Sequence, residues 1–181
     1  MEHLYFIAVV PPEDMRDRVT EIKEDFAEKF NSRHALKSPP HITLHMPFKW
    51  KEAKRDHLDE KLSEVARRHR TFSIAIRNFN CFEPRVIFLD VDHSSELAGL
   101  QKDVRQAMKT LNVFNSNYRE KPFHPHMTVA FRDLRKKEFY RAWKIYKERE
   151  ISFEFPVKAI TLLRHTGKRW IMVKDVSLTS N

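Results

Sequence analysis

The sequence predicts an α+β fold of two duplicated β-α-β(His-x-Thr)-α-β halves that face each other across a central cleft. Three observations carry this. The order strand, helix, histidine strand, helix, strand reads twice along the 181 residues. Pro-His-x-Thr stands at the same place in each half, as Pro40-His41-Ile42-Thr43 and Pro125-His126-Met127-Thr128. No Gly- or Ser-rich linker separates the halves. One domain over residues 1–181 is therefore expected, with pseudo-symmetric lobes of roughly 1–80 and 81–181.

Each element has a local reason. Residues 3–10 alternate and are rich in β-formers, which predicts a strand. Pro11-Pro12-Glu13-Asp14 then opens a helix with proline and acids in its first turn. Met15, Val19, Ile22, Phe26 and Phe30 follow on one helical stripe. After a polar loop, His41 to His45 alternates as a strand, and a charged helix from about 51 to 69 buries Leu58, Leu62 and Val65. A strand at 72–78 ends the first half. The second half repeats the order with a strand within 85–92 and a helix from 95 to 111 burying Leu97, Leu100, Val104 and Met108. A polar loop at 112–125 leads into a strand at 126–131. A basic helix carrying Phe139, Trp143 and Tyr146 precedes a strand at 151–155. Strands at 158–164 and 169–176, turned at Gly167, close the chain.

Composition narrows the chemistry. Hydrophobic residues at 41% and charged residues at 33% suit a packed, water-exposed globule rather than a disordered chain. Gly99 and Gly167 are the only glycines, so neither a Walker A loop nor a G-x-G-x-x-G fingerprint can be written. Cys81 stands alone, which excludes an intrachain disulfide and a multi-cysteine zinc site. The apolar run from Leu4 to Val10 lacks a basic lead and runs into prolines, so it reads as a strand rather than a signal peptide. No stretch reaches the ~18 apolar residues of a membrane span. A cytoplasmic monomer without a membrane partner is expected. The net charge of +9 favours polyanionic partners.

Strand geometry gives the repeated motif its meaning. Side chains alternate across a strand, so His41 and Thr43 share one face while Ile42 and Leu44 take the other. His126 and Thr128 pair likewise against Met127 and Val129. Two imidazoles across a cleft supply a base and an acid for displacement at phosphorus. The two threonine hydroxyls, stiff at χ1, donate to non-bridging oxygens. No metal or cofactor is needed. The competing assignment is a metal site, because His41 and His45, and His124 and His126, also share strand faces. No H-E-x-x-H or cysteine cluster supports it.

At these residues the chain resembles the two-histidine phosphoesterase superfamily, in its 2′-5′ RNA ligase and RNA 2′,3′-cyclic phosphodiesterase branch. The resemblance also takes in Leu4–Phe30, Phe82-Glu83-Pro84-Arg85-Val86 and Pro122-Phe123-His124-Pro125-His126-Met127-Thr128-Val129-Ala130. It implies a bilobal α+β fold with antiparallel sheets, His41 and His126 as the acid–base pair, and Thr43 and Thr128 as phosphate ligands. Where the family often has arginine after His-x-Thr-Leu-Ala, this chain has Phe131 and then Arg132. Alternation puts Arg132 on the histidine face, as a further phosphate contact.

The function expected is metal-independent opening of 2′,3′-cyclic phosphate ends of RNA to 2′-phosphates, with reversible 2′-5′ ligation in the same site. The substrate partner is RNA or a nucleotide carrying a cyclic phosphate or a 2′-5′ linkage. Alternatives are a phosphodiesterase for a small cyclic nucleotide and a non-catalytic RNA-binding module. Two basic groups are expected to cradle an RNA backbone: Lys49, Lys51, Lys54 and Arg55 near the first motif, and Arg135, Lys136, Lys137, Arg141 and Lys144 after the second.

Overall fold

The computed structural model describes residues 1–114 and 122–180. β1 (Glu2–Val9) leads into α1 (Glu13–Phe30), whose first turn carries Glu13 and Asp14 against the positive helix terminus. Val19, Phe26 and Phe30 of the expected stripe are buried, and Asn31 ends the helix at φ 53, a left-handed conformation its short side chain tolerates. A 3₁₀ turn (His34–Lys37) precedes β2 (Ile42–Lys51). A second short turn leads to α2 (Arg55–Ala66), which buries Leu58, Leu62 and Val65, and then to β3 (Phe72–Phe82). The second half consists of β4 (Val86–Val91), α3 (Ser95–Thr110), β5 (His126–Ala130), α4 (Lys136–Tyr146) and β6 (Ser152–Val157). Ser94 caps α3 by accepting from the Leu97 amide at 3.2 Å. β7 (Ala159–His165) and β8 (Trp170–Ser177) turn at Gly167, whose φ of 91 suits glycine. The centre of the expected polar loop 112–125, residues 115–121, lies outside the described residues.

β2 runs six residues past its expected end at His45, because Phe48 and Trp50 continue the ladder opposite Tyr5 and His3 of β1. The following helix therefore starts at Arg55 rather than Lys51. Pro47 fits within this strand because β2 lies at a sheet edge, where a missing N–H costs no ladder bond.

The strands form two antiparallel sheets, ordered β2-β1-β7-β8 and β5-β4-β3-β6. These orders match strand for strand, and each motif follows the same edge. The sheets do not divide the chain near residue 80, as the lobe boundaries expected. β3, from the first half, sits in the second sheet, while β7 and β8 return to the first. A connection of three residues between β3 and β4 makes them antiparallel neighbours, whereas periodicity carries no information about partners. The helices interlock the halves further: α1 packs against β5, and α3 packs against β2. One continuous core consequently joins Ile7 and Leu44 of the first sheet to Leu89 and Val129 of the second, with Phe26 and Leu100 from the helices. β2 and β5 lie side by side where the sheets meet, which brings the two motifs together.

Candidate active site

His41 immediately precedes β2 and His126 begins β5. Ile42, Leu44, Met127 and Val129 point into the core and are almost fully buried. Thr43 and Thr128 are half-buried on the opposite face, as alternation requires. His41, Thr43, His126 and Thr128 all line one cavity of about 550 Å³ between the sheets. The two imidazoles are held alike. The His41 Nδ1–H donates to the Pro39 carbonyl at 2.7 Å, and the His126 Nδ1–H donates to the His124 carbonyl at 2.7 Å. A carbonyl only accepts, so each bond sets the tautomer and leaves Nε2 as the nitrogen that exchanges a proton. An aromatic pair backs each ring. Phe6 lies 4.7 Å from His41 and 4.6 Å from Trp170; Phe88 lies 5.0 Å from His126 and 4.6 Å from Phe82.

The electrostatics are less symmetric than the geometry. Burial pushes His41 down to about 4, assisted by the Lys23 charge and by His126, and opposed by the bond to Pro39. Burial also lowers His126, with His124 adding to the effect, while the bond to the His124 carbonyl and the Asp90 carboxylate oppose it. His126 therefore has an anion nearby and His41 has a cation. Burial thus favours the neutral form of both rings.

Arg132 reaches the cavity by a route other than the expected one. β5 ends at Ala130, so alternation no longer applies; Arg132 takes φ 58 in the bend that follows. Its guanidinium lies 5.6 Å from the Phe131 ring, and both residues line the cavity. The metal assignment loses its first pair. The β1–β2 register shifts at Ile7–His45, so Leu44 and His45 are both buried in succession. His45 turns from the cleft and packs edge-on to Phe48 at 5.4 Å. Among the described residues no group of three or more metal-ligating side chains comes together.

The basic residues expected to cradle an RNA backbone lie outside this cavity. None of Lys49, Lys51, Lys54, Arg55, Arg135, Lys136, Lys137, Arg141 and Lys144 lines the cavity. Arg55 pairs with Asp59 at 2.7 Å, and Arg141 pairs with Glu138. Among the described residues the cations at the cavity are Lys37, Arg132 and Lys168, and no carboxylate lines it. Sequence reasoning missed Lys37 and Lys168, and it missed two residues that hold the 32–39 segment in place. Lys23, buried in α1, donates from Nζ to the Ala35 and Ser38 carbonyls at 3.0 Å each. Asp133 accepts from Ser32 Oγ at 3.0 Å and from the Arg33 and His34 amides at 2.8 and 2.9 Å. A lysine within an apolar helical stripe was the one available signal for Lys23.

Relatives of known name share this architecture. The chain is 27% identical over 164 residues to a Geobacillus kaustophilus protein named as a phosphoesterase, covering 88% of this chain and 86% of that one. Among solved structures, Escherichia coli LigT complexed with 3′-AMP superposes with a TM-score of 0.74 at 20% identity, covering 99% of both chains. TT0787 of Thermus thermophilus superposes with a TM-score of 0.70 at 21% identity, covering 98% of this chain and 99% of that one. These structures share the fold. The family model of the 2′-5′ RNA ligase superfamily matches residues 11–169, through both His-x-Thr motifs, and the chain belongs to that superfamily.

Proposed function

We propose that the protein opens the 2′,3′-cyclic phosphate at an RNA 3′ end and leaves a 2′-phosphate, without a metal, and that a 5′-hydroxyl in the place of water opens it to a 2′-5′ linkage, a ligation the same site can reverse. The observation that carries this is the matched pair of imidazoles, each tied at Nδ1 to the carbonyl two residues earlier and each accompanied by a threonine hydroxyl in one cavity. LigT holds 3′-AMP in a solved structure, which supports a nucleotide as the ligand here. The reading takes His41 as the base. Its depressed basicity, with the Lys23 charge nearby, keeps it neutral at pH 7. His41 removes a proton from water as the water oxygen bonds to phosphorus. The bond from phosphorus to O3′ breaks, and His126, beside the Asp90 carboxylate, gives its proton to O3′. Thr43, Thr128 and Arg132 stabilise the non-bridging oxygens.

The test is hydrolysis of an RNA oligomer with a 2′,3′-cyclic end in excess EDTA, followed by identification of the product. A 2′-phosphate formed at an unreduced rate is expected. A 3′-phosphate product, or turnover that returns only with added divalent metal, would refute the reading.

A further inference from the structure

A second cavity, of about 460 Å³, adjoins the first. The two share Lys37, Ser38 and Trp170, so the segment before His41 and one indole form the wall between them. The second cavity is lined further by Thr20 and Lys23 of α1 and by Arg169, Ile171 and Met172 at the start of β8. Its size falls within the range of small-ligand sites. Among the described residues its charged lining is entirely cationic (Lys23, Lys37 and Arg169), with no carboxylate. Beside Thr20 and Ser38, the uncharged lining is apolar; Leu36 and Met172 are 39% and 42% exposed, unusual for such side chains, and the Arg16 guanidinium reaches Met172 Sδ at 3.5 Å. Of these groups the chemistry at the two histidines uses only the charge of Lys23.

Cations spaced along flat apolar walls match an alternation of phosphates and bases. A chain leaving the first cavity over Lys37 and Trp170 would bring its next phosphate to Lys37 and Arg169. Its next base would meet Trp170, Ile171 and Met172. We infer that the second cavity is a subsite for the nucleotide preceding the one that carries the cyclic phosphate, so that the substrate is the end of single-stranded RNA rather than a free cyclic nucleotide. The inference rests on the function proposed above. It follows from continuity with the first cavity and from charge, since the phosphodiester that would cross the dividing wall meets Lys37, and no carboxylate lines either cavity among the described residues. An anion in the second cavity would also hold the buried Lys23, pushed down to about 7 by burial, in its charged form.

The experiment compares adenosine 2′,3′-cyclic phosphate with a trinucleotide bearing the same end, using the wild-type protein, Arg169→Ala and Met172→Asp. Both side chains are exposed, and the main-chain bonds of Arg169 to Thr166 survive truncation. Each substitution is expected to raise KM for the trinucleotide about tenfold, the scale of one lost stacking or phosphate contact, and to leave kcat and KM for the mononucleotide unchanged. Equal effects on both substrates, or none on the trinucleotide, would overturn the subsite. Anisotropy of a labelled trinucleotide ending in a 2′-phosphate is read in parallel. If the wild-type protein opens neither substrate, the proposed activity falls, and this binding still decides the subsite: weakening by both substitutions supports it, and unchanged affinity overturns it. Displacement of the trinucleotide by a polyglutamate peptide of equal charge and at equal concentration would overturn it in favour of an acidic protein partner.

Discussion

His126 repeats, atom for atom, the hydrogen bond of His41: each Nδ1–H reaches the carbonyl two residues earlier, at 2.7 Å in both cases. The pseudo-symmetry of the sheets thus extends to the tautomers of two side chains 85 residues apart. In the proposed mechanism the identical geometry permits either ring either role, and the neighbouring charges, Lys23 beside His41 and Asp90 beside His126, divide the work.

Replacing His41 or His126 by Ala is expected to lower kcat by about 10²–10⁴-fold, the usual loss for one proton-transfer group. The two variants separate with a diester whose leaving group is 4-nitrophenolate, which departs without a proton. That substrate restores turnover to His126→Ala and not to His41→Ala. The opposite pattern would exchange the roles.

The pH profile should move when substrate binds. Burial disfavours the charged form of both rings in the free protein, and a bound phosphate adds the negative charge that favours an imidazolium. The alkaline limb of kcat is therefore expected at higher pH than that of kcat/KM, each limb belonging to the coupled pair. Limbs that coincide would mean that no imidazolium forms in the complex.

His41 should cost stability in acid. Its pKa is about 4 in the fold against about 6.5 in an unfolded chain, so between these values the unfolded state binds the extra proton. Stability is fully present above pH 6.5 and declines as pH falls toward 4. Urea titrations at pH 7 and pH 5 should show a smaller loss on acidification for His41→Gln than for the wild-type protein. Equal losses would place the imidazole in a wetter setting.

Asp133→Ala is expected to loosen the segment before the first motif. Ser32 Oγ and the Arg33 and His34 amides lose their acceptor together, at a cost of about 1–3 kcal/mol. Because that segment carries the Pro39 carbonyl, kcat should fall although Asp133 touches no reacting atom. Asp133→Asn, which keeps one acceptor oxygen, should recover part of both losses. Thermal melts and initial rates on the two variants check this.

The salt dependence of RNA binding locates the working cations. Lys37→Ala should flatten the slope of log K against log salt by about 0.7, one phosphate contact on a single strand. Replacing Lys136, Lys137 and Arg141 together should leave it unchanged, since none of them lines either cavity. A reversal of these outcomes would move the RNA path onto α4.

The sequence by itself determined the elements and the pair of motifs, because both are local. Alternation over two or three residues places His41 with Thr43 and His126 with Thr128, and helical spacing places Val19, Phe26 and Phe30 in the core. Carried past a bulge, alternation failed at His45; past the strand end it no longer applies, and Arg132 reaches the cavity through the bend that follows β5. Tertiary structure alone decided which strands share a sheet, because β3 pairs with β4 through a short turn and β7 crosses back to β1. It also decided which of the 34 basic residues face the cleft. A run of lysines on one helix face is the same in sequence whether that face meets water or substrate. Lys37, Arg132 and Lys168 come from three separate bends of the chain, and only the packing of two sheets along their motif-bearing edges brings them to one cavity.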